Sequence, residues 1–231
     1  MLDPSGISTV TLDLDDTLWA IGPVIVRAER RLQSWLGEHY PGVTERLTHD
    51  DVLQIRRQVI VEHADKLHDM TFLRREIITR MGRAAGCEID VDVAFEVFYA
   101  ARNDLELYPD VRPALASLTE RYTLIAVTNG NADLAKIGID DLFDGFVSAT
   151  ATGAAKPAAK IFEAAVEAGG AGKSETLHVG DHPEMDVVGA RAAGLRAVWI
   201  NRGGFEWPDD VEEPDGVVSD LHGLDELLAG R

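Results

Sequence analysis

The sequence has few of the features that tie a protein to an oxidising compartment or to a membrane. Cys87 is its only cysteine, so no disulfide can form within the chain, which fits a reducing compartment. No stretch approaches the roughly 18 uninterrupted apolar residues of a membrane-spanning helix. The N-terminal residues lack the basic region and long apolar segment of a signal peptide. We therefore expect a cytoplasmic protein without membrane contact.

Basic residues are also scarce. The chain has 22 Lys and Arg against 40 Asp and Glu, for a formal net charge of −18. This excess argues against nucleic acid as a partner, because its phosphates attract cationic side chains, and against an anionic membrane surface. Most of the acidic residues are expected at the surface, where they favour solubility. At 231 residues the chain can form one domain, or a core with an insertion.

The most informative segment is acidic and follows the first apolar run. Thr9–Leu12 has the composition of a strand, and Asp13 and Asp15 come directly after it. On a continuing strand these two carboxylates would point to the same face and repel each other. Either a cation lies between them or the strand ends there, and both cases favour a ligand site at the carboxyl end of an early strand. The alternative is an acidic turn without chemistry.

Three further segments follow in order, two of them at the ends of predicted strands. They are Thr128-Asn129-Gly130, then Lys156-Pro157, then Gly180-Asp181 with Asp186 shortly after. Together with the first acidic segment, this ordered set resembles the four motifs of the haloacid dehalogenase superfamily of phosphohydrolases. The resemblance extends from about Thr9 to Asn201.

The resemblance implies a chemical role for each motif residue. Asp13 matches the nucleophile, which forms an aspartyl-phosphate, and Asp15 matches the general acid and base. Lys156 would pair with the nucleophile and with the phosphoryl oxygens. The hydroxyl of Thr128 and the backbone N–H of Asn129 would bind the phosphate.

The resemblance also implies Mg²⁺, which prefers oxygen ligands. Asp13, the backbone carbonyl of Asp15 and the side chain of Asp181 would hold the ion. We expect Asp186 to orient Lys156 or a metal-bound water, although it could simply be a carboxylate placed near a helix N-terminus. Of the nearby histidines, His178 is expected to be a hydrogen-bonded core residue, and His182 either faces the site or serves the turn.

Four helical patterns follow the first predicted strand, at residues 8–14. The first starts at Pro23, and the second runs from His49 to about Lys66 with Thr48 as its N-cap. The third runs from about Met70 or Thr71 to Gly86, and the fourth from about Val91 to Asn103. After Pro109, strands and helices alternate, with one of the helices predicted near residues 184–193. This alternation indicates a parallel sheet covered on both faces.

The predicted architecture is α/β, with a doubly wound parallel-sheet, Rossmann-like core and an α-helical cap domain inserted after the first strand. Residues 1–18 and 108–231 are assigned to the core, and residues 19–107 to the cap. The insertion resembles the type-1 cap of the superfamily, which implies a lid over the catalytic face. The alternative is an independent helical bundle. His68, Asp69 and Arg74 are candidate substrate contacts in the cap, although Asp69 could equally be an N-cap.

The resemblance implies a Mg²⁺-dependent phosphomonoester hydrolase that acts on a small phosphorylated molecule, as a monomer or homodimer. Residues 12–19, 22–25, 68–71 and 126–131 resemble the branch that acts on flavin mononucleotide and on 5-amino-6-(5-phospho-D-ribitylamino)uracil. Dehalogenases of the superfamily lack the second aspartate of the first motif, whereas Asp15 is present here. A phosphomutase of the same fold and a non-catalytic partner-binding protein remain alternatives.

Overall fold

The computed structural model describes residues 2–230. Within this range, six strands and eleven α-helices follow one another in chain order. They are β1 (Thr9–Leu12), α1 (Ile21–His39), α2 (Pro41–Arg46), α3 (His49–Glu62), α4 (Met70–Ala85), α5 (Val91–Asn103), α6 (Val111–Thr119), β2 (Thr123–Thr128), α7 (Leu134–Ile137), β3 (Gly145–Ser148), α8 (Ala149–Thr152), α9 (Ala159–Gly169), β4 (Thr176–Gly180), α10 (Gly189–Ala192), β5 (Arg196–Ile200), β6 (Gly216–Val218) and α11 (Leu221–Leu228). Short 3₁₀ turns lie at Ala64–Lys66, Asp140–Leu142 and Lys173–Glu175, and a π-helical turn at Pro183–Val188.

The chain forms two compact units. The sheet unit contains the described residues up to Ala20, together with Glu106–Gly130 and the chain from Gly138 onward. The helical unit contains Ile21–Leu105 and also Asn131–Ile137. This second segment belongs there because the backbone N–H of Asp133 donates to Asn103 Oδ1 at 2.9 Å. Such a contact cannot be deduced from periodicity, and the boundaries drawn from the sequence stay a prediction.

The sheet unit is built on six parallel strands in the order β3-β2-β1-β4-β5-β6. The chain first extends the sheet from β1 through β2 to β3, and then from β4 to β6 on the other side of β1. The winding direction therefore reverses between β1 and β4. In open α/β sheets the crevice at this reversal, at the carboxyl ends of the strands, is where ligands bind. The predicted α/β fold with a doubly wound parallel sheet is confirmed.

Alternating side chains of the strands pack on different helices. Ile125 and Val127 of β2 lie in one apolar cluster with Ile161 and Phe162 of α9. Leu124 and Ala126 are also completely buried and point to the other face, because successive strand residues alternate. A strand whose residues are apolar on both faces is typical of a parallel sheet covered by helices on both sides.

The helical unit follows most of the predicted pattern, although α3 ends at Glu62 and a 3₁₀ turn covers Ala64–Lys66, where the helix was predicted to continue. α1 buries residues four positions apart along one stripe, Val24, Ala28, Leu32 and Leu36. The predicted N-cap of α3 is confirmed, since Thr48 and Asp51 form a reciprocal capping box. The short helix α2 was not predicted. Among residues 2–230, no helix is long and apolar enough to cross a lipid bilayer.

One predicted helix has a different form. The sequence predicts an α-helix near residues 184–193, but the structure has the π-helical turn Pro183–Val188 followed by the short α10. The N–H of Val187 donates to the carbonyl of His182, five residues back, at 3.5 Å. Asp186 is drawn toward the sheet by partners outside the helix, which are described below. Apolar periodicity does not separate a π-helical turn from an α-helix, and such turns are frequent at functional sites.

Candidate active site

The motif residues meet at the carboxyl edge of the three central strands. Asp13 follows β1, Asp181 follows β4, and Thr128 is the last residue of β2. Because β1 pairs with both β2 and β4, the ends of these strands are neighbours. The N–H of Asp13 donates to the carbonyl of Val179 at 2.9 Å, so the ladder continues one residue past β1 and holds Asp13 in register.

Lys156 lies at the centre of the site. Its ammonium contacts Asp13 Oδ1 and lies 2.7 Å from Asp186 Oδ1. All three side chains are nearly shielded from solvent, with 3%, 9% and 2% exposed for Lys156, Asp13 and Asp186. Burial lowers the pKa of Lys156, but the attraction of the two carboxylates outweighs it and raises that pKa above its ordinary value. The ammonium is therefore charged and joins two acids from distant parts of the chain.

The backbone of Lys156 is held by Asn129. Asn129 Oδ1 accepts the N–H of Lys156 at 2.7 Å, and Asn129 Nδ2 donates to the Lys156 carbonyl at 3.1 Å. The Lys156–Pro157 peptide is cis, and the backbone of Gly189 packs against Pro157. A Cβ added at Gly189 would lie 2.8 Å from Pro157 Cα, so this approach requires glycine. The sequence assigned only the backbone N–H of Asn129 to the site, and its side chain turns out to position Lys156.

Asp186 is enclosed by donors. Its Oδ1 faces both Lys156 Nζ and His178 Nε2, the latter at 3.1 Å, and its Oδ2 accepts the backbone N–H of His182 at 2.9 Å. Burial raises the pKa of Asp186, but the charge of Lys156 and the hydrogen bond from His178 lower it well below its ordinary value. Gly180 makes room for this carboxylate, because a Cβ there would lie 2.2 Å from Asp186 Cγ. Asp186 contacts Lys156, and the orienting role expected for it stays a prediction.

Three carboxylates converge in this region. Ligand oxygens of Asp13, Asp181 and Asp186 all lie within 4.8 Å of one another. Burial raises the pKa of Asp13 well above its ordinary value, against the attraction of Lys156. Burial, followed by repulsion from Asp186 and Asp16, raises the pKa of Asp181 to about 7. One ammonium faces three carboxylates here, and a divalent cation would supply further positive charge.

Asp186 differs from Asp13 and Asp181 in the number of its hydrogen-bond donors. Since both of its oxygens already accept N–H groups, Asp13 and Asp181 are the carboxylates best able to hold a cation. The Oδ1 atom of Asp15 accepts the indole N–H of Trp19 at 2.8 Å, and the three converging carboxylates do not include Asp15. Asp15 therefore lies outside the convergent trio, and the metal-binding role of its backbone carbonyl stays a prediction.

Thr128 is poised to donate a hydrogen bond. Its hydroxyl is nearly completely buried, and the oxygen accepts the N–H of Gly130 at 2.9 Å. An accepting hydroxyl keeps its own hydrogen for another partner. This is the geometry that the phosphate-binding role implied for Thr128 requires.

The candidate contacts in the helical unit have structural partners there. Asp69 is the N-cap of α4 and accepts the N–H of Phe72 at 2.9 Å, as its alternative interpretation predicts. Arg74 donates to Glu29 at 2.7 Å and lies 4.0 Å from the centre of the Phe98 ring. These contacts account for both residues within the helical unit. A substrate contact by His68, Asp69 or Arg74 stays a prediction.

One clamp beside the site was missed by sequence reasoning. Arg202 forms a two-pronged ion pair with Asp110, at 3.0 and 2.8 Å, and its Nε donates to the carbonyl of Thr17 at 2.8 Å. Its guanidinium also lies 4.1 Å from the centre of the Tyr108 ring. Arg202 and Tyr108 border a cavity of about 390 Å³ that also reaches Asp181. Arg202 thus ties the end of the first motif to the sheet, and nothing in the local sequence predicts that pairing.

Comparisons with known proteins identify the family of the chain. The family described as haloacid dehalogenase-like hydrolase matches residues 7–194. The chain is 31% identical, over 84% of its length and 83% of the relative's, to 5-amino-6-(5-phospho-D-ribitylamino)uracil phosphatase YigB of Escherichia coli. It is also 31% identical, over 90% and 91% of the two lengths, to a glyceraldehyde 3-phosphate phosphatase of Methanopyrus kandleri.

One solved structure with the same fold is named for a different reaction. It is described as a 2-haloacid dehalogenase from Pseudomonas syringae and superposes with a TM-score of 0.91 at 37% identity, covering 97% of this chain and 99% of the other. The chain belongs to the haloacid dehalogenase-like hydrolase family.

Proposed function

We propose that the protein is a Mg²⁺-dependent phosphomonoester hydrolase that acts through an aspartyl-phosphate at Asp13. The observation that carries this proposal is the buried contact between Lys156 and Asp13, beside Asp181 and at the reversal of strand order. The Asp13 carboxylate provides a nucleophile, and the Lys156 ammonium provides the positive charge that a phosphoryl group requires. The family assignment and the phosphatase relatives support the same reaction class.

The residues present fit a divalent ion. Asp13 and Asp181 are acidic oxygen donors held close together, and burial makes their charged forms unfavourable without a cation. Mg²⁺ accepts such oxygens readily and keeps several waters. When bound, the ion would neutralise negative charge on the phosphoryl oxygens and on the nucleophile.

The protein's own groups account for the proton and phosphoryl transfers. Asp13 Oδ1 contacts Lys156, which leaves Oδ2 to attack phosphorus, forming an O–P bond as the bond to the leaving alcohol breaks. Asp15 would protonate the leaving oxygen, and would then take a proton from the water that hydrolyses the acyl-phosphate. Lys156 and the Thr128 hydroxyl would stabilise the phosphoryl oxygens throughout.

For the substrate we propose a small organic phosphate. The relatives that match most of the chain are named for 5-amino-6-(5-phospho-D-ribitylamino)uracil and for glyceraldehyde 3-phosphate. Both are phosphate monoesters of a small polyol or aldehyde. The first compound and flavin mononucleotide are therefore the first substrates to test, as the sequence resemblance also indicates.

The test is a phosphate-release screen with excess Mg²⁺ or with EDTA. Substrates are p-nitrophenyl phosphate, flavin mononucleotide, the ribitylamino-uracil phosphate, glyceraldehyde 3-phosphate, sugar phosphates and nucleotides. We expect metal-dependent release that Asp13→Asn abolishes while the circular dichroism spectrum is unchanged. Asp16→Asn is the matched control, since it changes an acid in the same turn that has no assigned chemical role. Metal-independent turnover, or full activity in Asp13→Asn, would contradict the proposal.

A second candidate is hydrolytic dehalogenation, favoured by the superposition on the Pseudomonas syringae protein. In that reaction the aspartate attacks carbon and halide leaves without needing a proton. Asp15 would then have no partner in the chemistry. Halide release from a 2-haloacid by the wild type, unaffected by Asp15→Asn and by EDTA, would favour this alternative. Phosphate release that is lost in Asp15→Asn would exclude it.

A further inference from the structure

We propose that His178 is a positioning residue, which acts with Thr11 to hold the Asp186 carboxylate in the orientation that anchors Lys156. Its effect on turnover rests on the proposed function, whereas its hydrogen-bond arrangement does not. No reacting group touches His178 in this proposal, because it works through Asp186.

The geometry is set by strand pairing. Thr11 of β1 and His178 of β4 are register partners in the parallel ladder, and both side chains are completely buried. His178 Nδ1 lies 2.8 Å from Thr11 Oγ1, and His178 Nε2 lies 3.1 Å from Asp186 Oδ1. The ring of Phe162 meets the imidazole edge-on, with centroids 5.1 Å apart. The imidazole is therefore fixed at both nitrogens and on one flank.

These contacts determine which nitrogen of His178 carries the proton. Asp186 is an acceptor, so the short approach of His178 Nε2 requires a hydrogen on that nitrogen. Burial lowers the pKa of His178, which favours the neutral ring. A neutral ring with hydrogen on Nε2 has an acceptor at Nδ1, so the Thr11 hydroxyl donates to Nδ1 at 2.8 Å instead of to the more distant Leu177 carbonyl at 3.4 Å. Thr11 thereby selects the tautomer that can hold Asp186.

The hydrogen bond from His178 affects Lys156 through a shared acceptor, Asp186 Oδ1. Asp186 Oδ1 faces both His178 Nε2 and Lys156 Nζ, while its Oδ2 is tied to the backbone N–H of His182. Two fixed donors, one on each oxygen, prevent the carboxylate from rotating. The Lys156 ammonium is then held between a fixed Asp186 and the nucleophile Asp13. Loss of the His178 donor would free the carboxylate, and a displacement of about 1 Å at such a site can reduce turnover roughly 100-fold.

A core-filling role makes a different prediction. If His178 only fills space, an apolar residue of similar size would serve and the identity of its partner Thr11 would not matter. Thr9 offers a matched control for Thr11, because it lies two residues earlier on the same strand, is equally buried and is hydrogen-bonded to the Gly169 carbonyl instead of to the site.

The kinetic test compares four variants on p-nitrophenyl phosphate with Mg²⁺. We expect His178→Leu to lower kcat roughly 10- to 100-fold with little change in KM. His178→Gln keeps an N–H donor near the position of Nε2 and should retain most of the activity. Thr11→Val should lower kcat by a smaller factor, and Thr9→Val should leave it unchanged. Wild-type kcat in His178→Leu, or equal losses in the Leu and Gln variants at equal stability, would overturn the proposal.

A spectroscopic test separates this inference from the proposed function. In protein labelled with ¹⁵N-histidine, the His178 signals, identified by their loss in His178→Gln, should show the neutral tautomer protonated at Nε2. Thr11→Val should alter those signals, and Thr9→Val should not. An imidazolium, or a ring protonated at Nδ1, would overturn the inference even in an active enzyme. If the expected tautomer is found but no phosphate ester is hydrolysed, the proposed function fails and the hydrogen-bond assignment stands.

Discussion

Lys156 and Asp186 form an ion pair that is almost completely removed from water. Their charged atoms are 2.7 Å apart, with only 3% and 2% of the two side chains exposed. A buried charge is tolerated only when it is paired and hydrogen-bonded. Here the ammonium also contacts Asp13, and the carboxylate has further donors from His178 and the backbone. The pair is therefore a structural element as well as part of the candidate active site.

We expect Lys156→Met to destabilise the protein as well as to abolish activity. Removing the ammonium leaves two buried carboxylates without their cation, which costs about 3 to 5 kcal/mol in comparable buried pairs. Urea unfolding measures the loss. Lys160→Met, four residues along and exposed, is the control and should change the free energy of unfolding by at most about 0.5 kcal/mol. Adding Asp186→Asn to Lys156→Met should recover part of the stability, and a further loss would contradict the pairing.

Gly180→Ala should displace the Asp186 carboxylate, because Gly180 lies directly against it. The added methyl group would lie 2.2 Å from Asp186 Cγ, so Asp186 or β4 must shift. Such overpacking typically costs about 1 to 3 kcal/mol, and we expect kcat to fall because Lys156 loses its anchor. Gly22→Ala, where nothing lies within 4 Å of the new Cβ, is the control. Normal activity and stability in Gly180→Ala would show that Asp186 does not need its observed position.

The raised pKa of Asp181 should make the stability of the protein depend on pH. Its folded-state pKa is raised from 3.8 to about 7, so the native state binds the proton more tightly than the unfolded chain does. Its stabilising contribution is fully present below pH 3.8 and is lost as the pH rises through about 7. In EDTA, the free energy of unfolding of Asp181→Asn should therefore rise relative to that of the wild type between pH 5 and pH 8. The expected change is about 2 kcal/mol after allowance for partial exposure.

The comparison with Asp181→Asn also removes a competing effect. The pKa of His178 is lowered, which contributes stability of the opposite sign as the pH rises toward 6.5. Both proteins contain His178, so its contribution cancels in the difference between them. At pH 8, Mg²⁺ should raise the melting temperature of the wild type and have little effect on Asp181→Asn. A pH-independent difference in EDTA, or equal stabilisation of both proteins by Mg²⁺, would count against Asp181 as a metal ligand.

Arg202→Lys should weaken the clamp on the first motif. Lysine cannot reproduce the two-pronged contact with Asp110 or the stacking on Tyr108. We expect a loss of about 1 to 3 kcal/mol in the free energy of unfolding, the range for hydrogen bonds to charged groups. Arg121→Lys, in a more exposed pair with Asp225, is the control and should cost less than about 1 kcal/mol. Equal effects at both positions would show that the Arg202 contacts are not special.

Several local features could be predicted from the sequence because their causes lie within a few residues. Thr48 caps α3 through a side chain three residues before its partner. α5 begins and ends where its apolar period does, and α4 ends at the left-handed Gly86. The Asp13 motif could be placed after β1 because an apolar run ends there. The alternation of strands and helices likewise predicted the parallel sheet.

Other features depended on contacts between distant parts of the chain. The clamp from Asn129 to Lys156 and the pairing of Arg202 with Asp110 join segments far apart in sequence. The π-helical turn at residues 183–188 contains Asp186, which is paired with the distant Lys156. Strand order and register bring those segments together, and periodicity carries no information about which polar group will face which. The proposed role of His178 is of the same kind.

The sequence by itself determined the chemical groups, their order along the chain and the strands that present most of them, because these depend on local propensity and spacing. Only the tertiary structure decided that Asp186 would face Lys156 instead of solvent, and that Asp15 would turn to Trp19. The physical reason is burial: once a charged group leaves water, its neighbours in space fix its orientation and its pKa, and those neighbours come from other strands.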